Sequence, residues 1–145
     1  SLTLSDSFCV DRHRADFLSL VRNDIDVLFA NEDELKSLYE TADFDEAVEL
    51  LRRDCHIAAV TRSEKGSVVV TRDDIHTVPA APVASVVDTT GAGDLFAAGF
   101  LRGLTQGKDL TSCARIGAIA AAEVISHVGP RPMVSLSSLL PADLQ

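Results

Sequence analysis

The chain has 145 residues, 46% of them hydrophobic and 24% charged, enough apolar material for a folded core and an ordinary balance for a globular protein. Its net charge of -9 and pI of about 4.7 exclude the basic face that nucleic-acid binding needs. They also oppose long-range attraction of an anionic nucleotide, so a phosphate would have to be held locally, by backbone N–H groups and a metal.

No apolar run reaches the length of a membrane span, and no signal peptide is recognisable. Cys9, Cys55 and Cys113 are odd in number and widely spaced, which predicts reduced thiols and a cytoplasmic location. The chain opens on Ser1 rather than Met, which predicts that it begins inside a larger protein.

In chain order, Leu2 to Phe8 alternates like a strand. Val10 to Arg22 carries the Phe17–Leu20–Val21 stripe of a helix. Val27 to Ala30 is a short buried strand, and Asn31 then caps a helix over Glu32 to Tyr39. Asp43 caps a third helix, Phe44 to Arg53. Ile57 to Thr61 has no polar break, as a central parallel strand requires. Ser67–Thr71 and Ile75–Val78 flank the turn at Asp73-Asp74 and predict an antiparallel hairpin. After Pro79 and Pro82 come a strand end, a glycine turn and a helix to about Leu104. Asp109 caps an alanine-rich helix from Leu110 to about His127, stopped by Gly129-Pro130-Arg131-Pro132. Ser135 to Leu140 forms a last short helix. This order predicts one α/β domain, with a mainly parallel sheet and helices on both faces. In such sheets ligands sit at the carboxyl ends of strands, and polar clusters follow Phe8, Ala30, Val60 and Val87.

The most informative stretch is Asp88-Thr-Thr-Gly-Ala-Gly-Asp94-Leu-Phe-Ala-Ala-Gly-Phe-Leu101. Gly91 and Gly93 predict positive φ and close approach of a ligand to the backbone. The N–H groups of Ala92, Gly93 and Asp94, at the start of a helix, form a local anion site. Asp94 at its mouth suits a base that takes a proton from a hydroxyl while a phosphate is held nearby. An acid after Gly-x-Gly also occurs at ordinary helix starts. Here Thr89 and Thr90, two bracketing aspartates and the small Ala97, Ala98 and Gly99 behind the turn add specificity. The phosphate loop G-x-x-x-x-G-K-[ST] is absent.

Asn31 and Glu34 are sufficient as a helix start. They also suit a hydrated Mg²⁺, which needs few protein oxygens. His56, His76 and His127 show no metal spacing. Ala118 to Glu123 fits a close-packed helix seam.

The run Asp88 to Phe100 resembles the C-terminal signature of the ribokinase-like (PfkB) carbohydrate kinases. The resemblance covers nearly the whole chain. It implies a three-layer α/β/α fold whose N-terminal half and β lid are missing, together with most sugar-contacting residues. Asn31 and Glu34 match the family's N-x-x-E motif, which helps position magnesium and phosphate. Thr61 and Gly66 match its T-x-G-x-x-G segment along the nucleotide, with Ser63 where the first glycine is usual. Ser5 corresponds to a polar residue near the phosphates, and Thr89 belongs to the nucleotide-binding turn. Gly117, Ala121 and the Gly129-Pro130 loop would flank adenine. Asp88 and Thr90 would border a monovalent cation in some relatives.

The implied reaction moves the γ-phosphoryl of MgATP to a primary hydroxyl of a ribose-containing substrate. Within the family, Leu4-Ser5, Val27 to Glu34 and Leu110 to Gly117 are most similar to adenosine kinases, which points to the 5'-OH of adenosine. The alternatives are another sugar or nucleoside, or a nucleotide-binding module without turnover. With the acceptor-binding half missing, the 145 residues alone are expected to be silent. The sheet edge left open by that half predicts self-association into a homo-oligomer.

Overall fold

Strand β1 (Leu2–Thr3) runs parallel to β2 (Val27–Asn31), with Leu2 opposite Leu28 and Thr3 opposite Phe29. β2 in turn runs parallel to β3 (Ile57–Thr61), in a register from Val27–Ile57 to Asn31–Thr61. β4 (Ser67–Thr71) and β5 (Ile75–Val78) complete a five-stranded sheet in the order β1-β2-β3-β4-β5. The connections into β4 and β5 are too short for the crossover that a parallel pair needs, so these two strands are antiparallel to their predecessors. The sheet is therefore mixed. This computed structural model describes residues 1–145. No helix in it is long and apolar enough to cross a membrane, and its three cysteines are free.

The chain forms two compact units, one of Ser1–Arg62 with Val68–His76 and one of Ser63–Ser67 with Thr77–Gln145. In the first unit, helices α1 (Ser7–Asn23), α2 (Glu32–Tyr39) and α3 (Phe44–Asp54) accompany the strands. Its core includes Leu4, Val10, Leu28, Leu35, Leu38, Leu51, Val60 and Val70. Each helix begins at a side-chain cap: Asp6 accepts from the Cys9 N–H at 2.7 Å, Asn31 from Glu34, and Asp43 from Asp45 and Glu46. The cap at Asp6 overturns the expected strand from Leu2 to Phe8. It starts α1 at Ser7 in spite of the alternating pattern, and Phe8 is left 81% exposed.

In the second unit, α4 (Ala92–Thr105) packs along α5 (Leu110–Val124) through facing glycines. A Cβ added to Gly99 would lie 2.8 Å from the Gly117 Cα, and one on Gly103 would lie 3.0 Å from the Cys113 sulfur. Asp109 caps α5 by accepting from the Ser112 N–H at 2.9 Å. α5 stops at Val124, short of His127, and α6 is limited to Leu136–Leu139. The strand end expected at Val87 is absent. Pro79 and Pro82 remove ladder donors from the approach, Val86 and Val87 are exposed, and the Val87 N–H donates to the Ile125 carbonyl at 2.8 Å.

Candidate functional site

The glycine turn of the second unit is built so that part of its backbone hydrogen-bonding capacity stays open. Gly91 caps α4 with φ +81° and ψ 0°, a left-handed conformation that glycine takes without penalty. A Cβ on Gly91 would come within 2.8 Å of the Pro130 Cβ, so the turn rests on the loop after α5. The Ala92 N–H donates to the Thr89 carbonyl at 3.2 Å. This corrects the expectation that Ala92, Gly93 and Asp94 all offer donors: Ala92 closes the turn, and the N–H groups of Gly93 and Asp94 remain without a backbone acceptor.

Positive φ belongs to Gly91 and not to Gly93. Gly93 contributes differently, because a Cβ there would meet nothing within 4 Å. Its lack of a side chain leaves an open approach to the helix N-terminus, of the kind a phosphate oxygen requires. Asp94 is exposed in the first turn of α4, with no hydrogen bond or ion pair to its carboxylate. Thr89 is also exposed.

Asp88 clasps this turn. Its Oδ1 accepts from the Thr90 N–H at 2.9 Å and from the Thr90 hydroxyl at 2.6 Å, while its Oδ2 accepts from the Gly129 N–H at 3.0 Å. The Thr90 hydroxyl first, then the Gly129 N–H, hold its pKa down to about 2. Asp88 and Thr90, expected beside a cation, thus already satisfy one another.

Gly117 is a correction. The space where its side chain would be is filled by Phe96, whose carbonyl oxygen would lie 2.7 Å from a Cβ at Gly117. Gly117 is therefore buried in the α4–α5 seam and offers no face to an adenine, whereas Ala121, one turn further along α5, is half-buried. Gly66 has a similar explanation. It has φ +88°, and a Cβ would lie 2.1 Å from the Val78 carbonyl oxygen, so the protein's own backbone requires glycine there. Ser63 sits at φ +52° in a short 3₁₀ turn, Ser63–Lys65. The left-handed conformation accounts for a preference for glycine at this position, with serine adopting it at some cost.

In the first unit, the parallel register sets Asn31 beside Thr61 at the carboxyl ends of β2 and β3. Asn31 and Glu34 form a reciprocal capping box. Asn31 Oδ1 accepts from the Glu34 N–H at 2.8 Å, Glu34 Oε2 accepts from the Asn31 N–H at 2.9 Å, and Glu34 Oε1 accepts from Asn31 Nδ2 at 2.9 Å. Glu34 is only 6% exposed, and burial raises its pKa above the usual carboxylate range despite the Asn31 N–H. No three His, Cys, Asp or Glu side chains gather into a metal cage. Direct ligation by Glu34 does not fit this geometry. A cation that keeps its own water does, since each carboxylate oxygen retains acceptor capacity. Ser5 lies between β1 and α1 at φ +71°, exposed, and the Asp6 N–H donates across it to the Leu4 carbonyl at 2.9 Å.

Two features of these regions escaped the sequence. Arg62, next to Thr61, donates to Glu32 at 2.8 Å and stacks 3.8 Å over the Phe44 ring. Its hydrogen bond draws the Glu32 pKa down to about 2. Glu123, in α5, accepts from the Met133 N–H and faces His127. No local motif marks either one, because the partners are distant in sequence or scattered in a loop.

The pfkB family carbohydrate kinase model matches residues 3–136, and the chain belongs to this family. An adenosine kinase from Sinorhizobium meliloti superposes with a TM-score of 0.92 at 57% identity, over 94% of this chain and 42% of that one. A probable sugar kinase from Rhizobium etli CFN 42 gives 0.92 at 55% identity, with the same coverage. A cytidine kinase from Thermococcus kodakarensis is 34% identical over 119 residues, 80% of this chain and 42% of that protein. The fold is thus the ribokinase-like one, and the chain spans about two-fifths of the length of these relatives.

Proposed function

We propose that this chain is the nucleotide-binding and catalytic portion of a kinase that phosphorylates a nucleoside or sugar hydroxyl from MgATP. The observation that carries the reading is the turn at Gly91 to Asp94. It combines two uncommitted N–H groups, an open approach over Gly93 and an exposed carboxylate within one helical turn. Family membership supplies the reaction class.

In this reading Asp94 accepts the proton of the acceptor hydroxyl as its oxygen attacks the γ-phosphorus and the bond to the ADP bridging oxygen breaks. The Gly93 and Asp94 N–H groups donate to the phosphoryl oxygens, where charge must be stabilised and reactants held in line. Asn31 and Glu34 would hold a hydrated Mg²⁺ through its water, and the ion would offset phosphate charge. Thr61, Ser63, Thr89, Ala121 and Ser5 are candidate nucleotide contacts.

Adenosine, accepting at its 5'-OH, is the preferred substrate of this proposal, supported by the likeness to an adenosine kinase. Nearly equal likeness to a probable sugar kinase keeps a second acceptor class in the test. A binding module without turnover is disfavoured by Asp94, since a carboxylate beside phosphates weakens simple binding. The 145 residues alone should be silent, because positioning of the acceptor accounts for about 7–11 kcal/mol of barrier and depends on residues outside this span. β1 stands at one end of the sheet order, and its free edge favours self-association.

The test is ADP release by the full-length protein with a panel of nucleosides and sugars, beside Asp94→Asn. Loss of the base should lower kcat by about two orders of magnitude or more, with ATP affinity unchanged or improved. Near-normal turnover of the folded variant would overturn the assignment.

A further inference from the structure

We infer that Glu123 is a positioning residue for the glycine turn, acting through the loop at residues 128–133 on which Gly91 rests. This rests on the reading of that turn as the phosphate site. The loop has no backbone–backbone hydrogen bond of its own. Pro130 and Pro132 have no N–H to donate, and of the other amides in the segment two are taken by carboxylates. The Gly129 N–H donates to Asp88 Oδ2 at 3.0 Å, and the Met133 N–H donates to Glu123 Oε1 at 2.8 Å.

Between these two anchors Pro130 presses against Gly91, close enough that a Cβ on Gly91 would sit 2.8 Å from the Pro130 Cβ. One anchor, Asp88, belongs to the glycine stretch itself and also holds Thr90. The other is set in α5. The segment is therefore a strut between α5 and the turn, with Glu123 as its fixed end.

Glu123 suits this role physically. Its side chain is 8% exposed and its Oε1 also meets His127 Nε2 at 3.2 Å, which limits its rotamer. Its Oε2 is buried without a partner, so the anchor to the loop is made through Oε1 alone. Releasing the Met133 N–H frees the far end of the strut. Pro130 can then move from Gly91, and the two open N–H groups lose their fixed direction. The consequence is weaker ATP binding with the acceptor site untouched.

The experiment uses the full-length protein with Glu123→Ala, Glu123→Gln and Gly93→Val, by amide hydrogen exchange and calorimetric titration with MgATP. In Glu123→Ala, exchange at the hydrogen-bonded amides of Gly129, Met133, Thr90 and Ala92 should accelerate about tenfold or more. The ATP Kd should rise about tenfold, with the acceptor KM held within about twofold. Glu123→Gln keeps an oxygen for the Met133 N–H and should restore ATP affinity to within about threefold of the parent. A Glu123→Ala protein with faster exchange at Met133 but unchanged exchange at Thr90 and Ala92 would overturn the strut. So would unchanged ATP affinity in Glu123→Ala alongside weakened affinity in Gly93→Val. Unchanged ATP affinity in Gly93→Val would instead overturn the phosphate reading beneath the proposal, and the exchange data would still report whether Glu123 holds the turn.

Discussion

The Asn31–Glu34 helix start and the Gly91–Asp94 helix start look equally motif-like in sequence, and they differ in what the fold leaves over. At Asn31 the polar groups consume one another. Three mutual hydrogen bonds close a capping box around a carboxylate that is nearly buried. At Gly91 the cap has no side chain, one amide closes the turn, and the next two amides and the Asp94 carboxylate have no partner. A motif whose spacing is dictated by capping can be complete without a ligand. One that leaves donors and an acid exposed within one turn invites a ligand. The glycines divide in the same way. The space at Gly66 and Gly117 is filled by protein, and the space at Gly93 is open.

The strongest way to break this comparison is at the glycines. Gly66→Ala should cost about 3 kcal/mol or more in denaturant unfolding, since it combines a left-handed φ with a backbone collision. Tolerance there would show that the filled-space argument fails. Gly93→Val should leave unfolding within about 1 kcal/mol, because the site is open and helical, yet weaken MgATP binding about tenfold or more by blocking backbone approach. Calorimetry and thermal unfolding on one sample would separate the two effects.

Glu34→Gln sharpens the other side. Glutamine keeps one acceptor for the Asn31 N–H but sets its amide nitrogen against Asn31 Nδ2, so one bond of the box is lost and stability should fall by about 1–2 kcal/mol. A water-mediated role in magnesium use should raise the Mg²⁺ needed for half-maximal activity by roughly two- to fivefold. Superimposable titrations would leave Glu34 as a helix cap alone.

The smallest effect concerns acid. Asp88 is held at about 2, below its ordinary value of 3.8. A carboxylate depressed in the fold contributes stability above its unfolded value, and that contribution is lost as pH falls through the window from about 4 to about 2. Glu32, drawn from 4.5 to about 2 by Arg62, acts with the same sign, so the parent should lose melting temperature across this range. Asp88→Asn should lose less than the parent between about pH 5 and about pH 2.5. An equal loss would mean that the clasp contributes nothing to acid sensitivity. Glu34 has the opposite sign. Its raised value favours the neutral form in the fold, so its contribution is full below the ordinary value of 4.5 and is lost as pH rises from there through the raised value.

Local physical chemistry made much of this protein legible from its residues. Asn31, Asp43 and Asp109 each mark a helix start because a short polar side chain reaches an amide two or three residues on. The unbroken apolar runs at Val27 and Ile57 specify paired strands because only a sheet buries them on both faces. The stretch from Asp88 to Phe100 carried the family and the Gly91 turn, since φ +81° is a property of a few neighbouring residues. Tertiary structure decided the rest through partners that sequence proximity cannot supply. Asp88 meets Gly129 across 41 residues. Gly117 faces Phe96, and Gly66 faces Val78. Glu123 reaches Met133 only because α5 ends at Val124 and the chain turns back. Whether a glycine serves a ligand or a neighbouring backbone, and whether an acid is free or already bonded, depends on which atoms fill the next few ångströms, and those atoms arrive from elsewhere in the chain.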